Sequence, residues 1–484
     1  MATISTKDNQ MNFWLKVIVF FLLIFGFGYL PAPDPLTTYG MKTLGIFFGL
    51  LFGWCTLGMI WPSIVGILAM PLLGIMPLGE VFANGWGSSV MLLIFFMMMV
   101  AKNLEKAGIS KLIALWFISR KIVLGRPWLF SYSFLIAISL ISSMTSSTAM
   151  IFLGWVIFYD IVEEVKLEKH MSYTSYMLIG IVIAACLGDG LFPFRTVGAV
   201  AFVMMEEISG IALNSFAFTV WSFMMCLTLL AVYILVGKFV FRIPTENLRA
   251  LNEEYFAAKE LSLNKGQKIM LFLMLALIVM MLAPSITPAN WIFNIIFSKI
   301  SATGVAALTC LLMCIIRVDG EPLMEPRSII REGVSFDVMF LGAAVLPLAL
   351  RVFSSEEAGI NAFLVQALSP VVEGKSPIIF LILVSVSALI LTNFMINVTV
   401  PTILFPAFYP IGLALGISPV ALMVLIVYSC FLAFLFPSAS PMAAVMFGNS
   451  EWIRTKDIYR YGGTFIAIAM VFCCLCIPIV QIIF

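Results

Sequence analysis

Six hydroxyl side chains crowd into the stretch "ISSMTSSTAM": Ser142, Ser143, Thr145, Ser146, Ser147 and Thr148. The surrounding sequence is apolar, and a buried hydroxyl without a partner is costly. Any one of them reads as ordinary helix packing, a Ser or Thr bonding back to its own backbone. Their concentration points to chemistry. A helix N-terminus presents unpaired amides, and hydroxyls beside them can hold an anionic group. A second polar set stands in "LTNFMINVTVP", with Thr392, Asn393, Asn397 and Thr399. An Asn oxygen can ligate Na⁺ and its nitrogen can meet a carboxylate. The alternative is an Asn that only packs helices.

Two further stretches interrupt apolar sequence with Gly, Pro and charge: "CLGDGLFPFRTVG" and "LFPSASPMAAV". Pro and Gly free backbone carbonyls, which can ligate a cation where they line a cavity. Asp189 and Arg195 lie in the first of these stretches. Charges inside a membrane segment are functional candidates, with a structural ion pair as the competing reading. Their six-residue spacing does not put them on one face of a straight helix, but across a break they can meet. Asp189 is also a candidate for proton or ion-pair coupling.

Much chemistry is excluded. There is no GxxxxGK[ST] loop for a nucleotide. Nine cysteines are scattered through apolar segments, and the one histidine, His170, lies in a charged stretch. No metal site, disulfide framework or convergent nucleophile–base set follows from them. The chain reads as a non-enzyme without an organic cofactor. Its formal charge of +2 gives no indication of nucleic acid; the partners expected are a small anion and membrane lipid.

The elements that must position these residues follow from composition. The chain has 484 residues, 62% hydrophobic and 11% charged. No soluble domain of this size reads that way. Apolar segments recur over residues 13–484, so the fold class is an all-α polytopic membrane protein of about 11 transmembrane helices. The first apolar stretch lacks a cleavage site and reads as a retained helix. Basic groups around residues 102–126, 242–268, 317–331 and 454–460 belong on the cytoplasmic side. That makes the N-terminus cytoplasmic and the C-terminus external.

The two halves echo each other. An N-terminal helix (1–35) precedes a first repeat (36–242), a cytoplasmic linker (243–268) and a second repeat (269–484). Each repeat carries a charged amphipathic stretch (103–121 and 351–375). Next comes a long apolar segment with a polar middle (127–159 and 377–410), then a broken helix (173–205 and 418–448). A long apolar segment with a polar centre suits a re-entrant hairpin. Paired broken segments in two halves point to an inverted-repeat transporter with its site at the midplane.

At these residues the chain resembles the divalent-anion/sodium symporter family. Members carry a Ser-Asn-Thr motif at the tip of each hairpin, followed by a broken span of the type Pro-x-Ala-Thr-Pro-Pro-Asn. In the second half Thr392 and Asn397 match, while Ile396 and Val398 replace the flanking Ser and Thr. "FPSASPMAAVMFG" follows the broken-span pattern, with Ala439, Ser440 and Pro441 in register. The resemblance implies a cation site at Thr392, Asn397 and Ala439. In the first half Ser146, Ser147 and Thr148 stand where the family has Ser-Asn-Thr. With Thr196 taken as the Thr of the Thr-Pro element, Arg195 falls on the family's cation-ligating Gly. Either Arg195 replaces one Na⁺ with a tethered cation, held by Asp189, or it points away to the interface.

The resemblance implies a homodimeric secondary transporter in a bacterial cell membrane. Its transport part would carry the hairpins and move in an elevator-like shift. The expected substrate is a di- or tricarboxylate-like small organic anion, coupled to Na⁺ at one site rather than two. Ser146, Ser147, Thr148, Arg195, Thr196, Asn397, Val398, Ser440 and Pro441 would face it. An anion exchanger without Na⁺ is the runner-up, ahead of an anion channel.

Overall fold

The computed structural model describes residues 6–484, except 121–122, 124, 251–261, 289, 349–355, 361, 364–365, 367–375, 395–396 and 438. The expected arm at 351–375 therefore lies largely outside the described residues, as do Ile396 and Ser438.

The chain is overwhelmingly helical; the strands among the described residues are a two-residue pair, Arg317–Val318 with Glu321–Pro322. Among the described residues, six helices are long and apolar enough to cross a membrane, or seven if the pair Leu78–Asn84 and Ser89–Lys106, bent by 46°, is one span. This is fewer than the eleven expected from segment length. The polar stretches cut several apolar segments into helices of 10–17 residues, each too short to span alone.

In the first half, Pro127–Ser142 and Ser147–Glu164 form a helix–turn–helix. Pro127 stands at the start of its helix, where a missing N–H costs nothing. Ser146 ends the turn as the cap of the second helix, accepting a hydrogen bond from the Ala149 amide. The second half repeats the device: Pro377 opens Pro377–Thr392, and Thr399–Ala414 follows the turn. Each pair packs on a buried helix, the first on Ser172–Asp189 and the second on Pro419–Cys430. Of Ser172–Asp189, 89% is buried, so despite its span-like length this helix sits at the centre of the protein.

Both buried helices break. Ser172–Asp189 gives way to Thr196–Ser209 after residues 190–195, and Pro419–Cys430 to Pro441–Gly448 after residues 431–440. The continuations cross over. Thr196–Ser209 packs against Pro419–Cys430 and Thr399–Ala414, while Pro441–Gly448 packs against Ser147–Glu164 and Ser172–Asp189. This exchange brings both breaks to one place. A second group of helices, including Ile60–Leu72, Ser89–Lys106, Lys265–Ile286, Ile292–Ile315 and Phe336–Pro347, is packed mainly within itself. Between Ser89–Lys106 and the first hairpin lies the amphipathic helix Ile109–Ile118, with Ile109, Leu115 and Ile118 buried and Lys111 and Trp116 exposed.

Candidate functional site

A cleft of about 750 Å³ opens where the two helical turns and the two breaks converge. One wall holds Ser146, Ser147, Thr148, Asp189, Arg195, Asn397, Val398, Ala439, Ser440 and Pro441. These come from four stretches of chain. The reciprocal packing of the broken helices is what assembles them. Thr196 starts the helix that follows Arg195; its side chain lies outside what the structure describes. Thr392 is fully buried behind Asn397 rather than on the cleft wall.

In the first half the hydroxyls divide into two groups. Ser142 donates to the Ala185 carbonyl at 2.8 Å, Ser143 to Leu140 at 2.7 Å, and Thr145 to Ile141 at 2.9 Å. These three are spent on backbone carbonyls, the packing use that the sequence also allowed. Ser146 uses only an acceptor site, for the Ala149 amide, so its proton is free for a ligand. Ser147 donates to Asp189 Oδ1 at 3.2 Å. Thr148 lines the cleft at the first turn of its helix. The first amides of Ser147–Glu164 lie beside these hydroxyls, and together they favour an anion.

Asp189 and Arg195 meet across the break. Arg195 Nη2 and Nε approach Asp189 Oδ1 at 2.7 and 3.2 Å, and Nη2 also donates to the Thr145 carbonyl at 2.8 Å. Arg195 is 9% exposed, so it points inward, to the hairpin turn and the cleft, not to the protein's periphery.

In the second half, Thr392 Oγ1 lies 3.3 Å from Asn397 Oδ1 and 3.4 Å from the Cys430 carbonyl. Both are longer than the about 2.7–2.8 Å usual between two oxygens sharing a proton. For a cation of calcium-like radius, with metal–oxygen distances of about 2.4 Å, neighbouring ligands in an octahedron stand about 3.4 Å apart. Na⁺ is such a cation, so Thr392 Oγ1 stands from the Asn397 and Cys430 oxygens at the spacing that would suit it. Ala439, at the break, lines the cleft together with Asn397. Ser440 is committed elsewhere: it donates to the Ala433 carbonyl at 2.7 Å and caps the Ala443 amide at 3.1 Å. Asn393 fixes the break, donating to the Leu432 carbonyl at 3.3 Å and accepting from the Leu435 amide at 2.9 Å.

The opposite wall was not anticipated. It comes from the other helix group and includes Met97, Met98, Lys102, Glu105, Glu332 and Val338. Lys102 pairs with Glu105 at 2.8 Å and Lys106 with Glu332 at 3.3 Å. The three-residue spacing of Lys102 and Glu105 was a visible sequence signal; that it faces the hairpin turns was not.

Comparison with known proteins fits this geometry. Residues 10–482 match the family model described as the sodium:sulfate symporter transmembrane region. The Sodium-dependent dicarboxylate transporter SdcS of Staphylococcus saprophyticus is 22% identical, over 89% of this chain and 84% of that protein. The human Na(+)/dicarboxylate cotransporter 3 is 24% identical, over 44% of this chain and 37% of that protein. The crystal structure of the YdaH transporter of Alcanivorax borkumensis shares the fold, with a TM-score of 0.53, 14% identity and coverage of 97% and 98% of the two chains. With nearly its whole length matched, the chain belongs to the sodium:sulfate symporter family of integral membrane transporters.

Proposed function

We propose that this protein is a secondary active transporter that couples Na⁺ to the movement of a small organic anion, di- or tricarboxylate-like, by alternating access. The observation that carries the reading is the meeting of both hairpin turns and both helix breaks at one cleft. There, the hydroxyls of Ser146 and Thr148 stand at a helix N-terminus, available to an anion. The oxygens of Thr392, Asn397 and Cys430 stand close by with cation-like spacing. Both named relatives are, by their names, sodium-dependent or sodium-cotransporting dicarboxylate carriers.

In this reading the residues at the hairpin turns and helix breaks divide the work. Ser146, Thr148 and the Asn397 amide bind the anion, Thr392, Asn397 and backbone at Ala439 bind Na⁺, and Arg195 with Asp189 shapes the first turn. The hairpins and broken helices, taken as two inverted repeats (36–242 and 269–484), form a transport body. It moves in an elevator-like shift against the second helix group, which would carry a homodimer contact. The N-terminus is cytoplasmic and the C-terminus external, in a bacterial cell membrane.

The test is uptake into proteoliposomes. Labelled succinate, citrate and sulfate are each supplied with an inward Na⁺ gradient or with K⁺ in its place. Na⁺-driven, saturable accumulation of one of them supports the proposal. Saturable counterflow indifferent to Na⁺ would make the protein an exchanger, the reading that the fixed Arg195–Asp189 pair favours. Absence of saturable transport of any anion rejects both.

A further inference from the structure

The two hairpins correspond in their first arms and at one later position, although the second turn is longer, 393–398 against 143–146. Each first arm opens at a proline, Pro127 or Pro377, and runs 16 residues to a hydroxyl residue, Ser142 or Thr392. Each of these hydroxyls faces a carbonyl of the adjacent buried helix, at Ala185 or at Cys430. Five residues beyond them stand Ser147 and Asn397.

The chemistry at the matched positions differs. In the second half the hydroxyl stands 3.3 Å from the amide oxygen and 3.4 Å from the carbonyl, the spacing of neighbouring ligands around a small cation. In the first half the corresponding hydroxyl has closed onto its carbonyl at 2.8 Å, an ordinary hydrogen bond. Ser147 points its proton at Asp189. The Thr145 carbonyl and Asp189 Oδ1 both accept from the Arg195 guanidinium. A second cation at contact distance would be repelled by it, in surroundings that screen charge poorly.

We infer that the first hairpin turn is closed to sodium, its cation position being filled by the Arg195 side chain, and that the protein takes up one Na⁺ per cycle, at the second turn. The inference rests on the Na⁺-coupled reading above. A guanidinium tethered at residue 195 cannot exchange with bulk ions. The first turn therefore stays organised in every state of the cycle, and only the second turn responds to Na⁺. Asp189 cancels the charge of Arg195, so the first turn contributes directed donors and no net charge. A dianion loaded with one Na⁺ then leaves the carrier one unit more negative than it would be with a cation at each turn.

The experiment is a thermal-stability titration of the purified protein with sodium chloride, with choline chloride holding ionic strength constant. Asn397→Ala and Thr392→Val are titrated alongside. A ligand that binds the native state raises the melting temperature by mass action. The expected result is a single-site dependence in the wild type that is lost in both variants. Two variants guard against a folding failure in either one. A two-site dependence in the wild type, or a Na⁺ response that survives in a folded Asn397→Ala or Thr392→Val, overturns the inference. No Na⁺ response in the wild type would reject the Na⁺-coupled reading and, with it, the count of one Na⁺ per cycle.

Discussion

Arg195 Nη2 lies 2.7 Å from Asp189 Oδ1, joining the two ends of a helix break, and the same nitrogen reaches the Thr145 carbonyl of the neighbouring hairpin turn. One side chain thus ties the first break to the first turn. Removing either partner leaves a buried charge uncompensated, at a cost of about 3–5 kcal/mol. Asp189→Asn and Arg195→Gln should each lower the melting temperature in detergent strongly. The double variant should lose less than the sum of the two. Additive losses in this double-mutant cycle would mean the pair is not coupled. Arg195→Lys should not restore the wild-type value, because an ammonium lacks the planar fork.

Arg195→Gln also frees the Thr145 carbonyl and the Asp189 carboxylate. With the guanidinium gone, these oxygens and Ser147 become a cation site. Sodium titration of this variant should change from a one-site to a two-site dependence, read by the same thermal assay.

Asn393 holds the second break without facing the cleft. Its amide spans the Leu432 carbonyl and the Leu435 amide, and also meets the Leu389 carbonyl at 2.9 Å. Asn393→Leu strands these buried groups, at about 1–3 kcal/mol for each one left unpaired. We expect a lower melting temperature together with weaker apparent Na⁺ affinity, because the Cys430 carbonyl sits next to the loosened segment. An unchanged Na⁺ midpoint in a destabilised Asn393→Leu would limit the residue to packing.

Gly188 lies where the first hairpin crosses its buried helix. A Cβ there would meet the Ser139 backbone, including its Cα at 2.8 Å. Backbone cannot swing aside as a side chain can, so Gly188→Ala should cost about 1–3 kcal/mol by overpacking. The check is the melting temperature against that of Gly79→Ala, where nothing lies within 4 Å.

Glu332 accepts hydrogen bonds from Ser328 and Lys106, and these bonds, with the Lys106 charge, hold its carboxyl below the ordinary value. A carboxylate with a depressed folded value stabilises the protein above the ordinary value. That contribution is lost as pH falls through the folded one. Wild-type melting temperature should therefore decline in acid more than that of Glu332→Gln. Parallel pH curves would contradict this.

Much of this protein was legible from sequence because hydrocarbon is an unforgiving solvent. In an apolar chain, polar residues stand out one by one, and helix breaks announce themselves as Gly and Pro. The stretches around Ser146, Asp189, Asn397 and Ser440 could all be found that way, and the family resemblance rested on them. The number of spans was less legible, since segment length does not say whether a long apolar run crosses once or folds back. Sequence also could not apportion the hydroxyls: Ser142, Ser143 and Thr145 are consumed by carbonyls, whereas Ser146 keeps a free proton. Only the tertiary structure decided that Arg195 turns inward, because its partners, Asp189 and the Thr145 carbonyl, become neighbours only after the helix breaks and the hairpin packs over it. The wall around Lys102 and Glu332 was likewise invisible, since it depends on how two separately packed helix groups face each other, and local sequence carries no record of that.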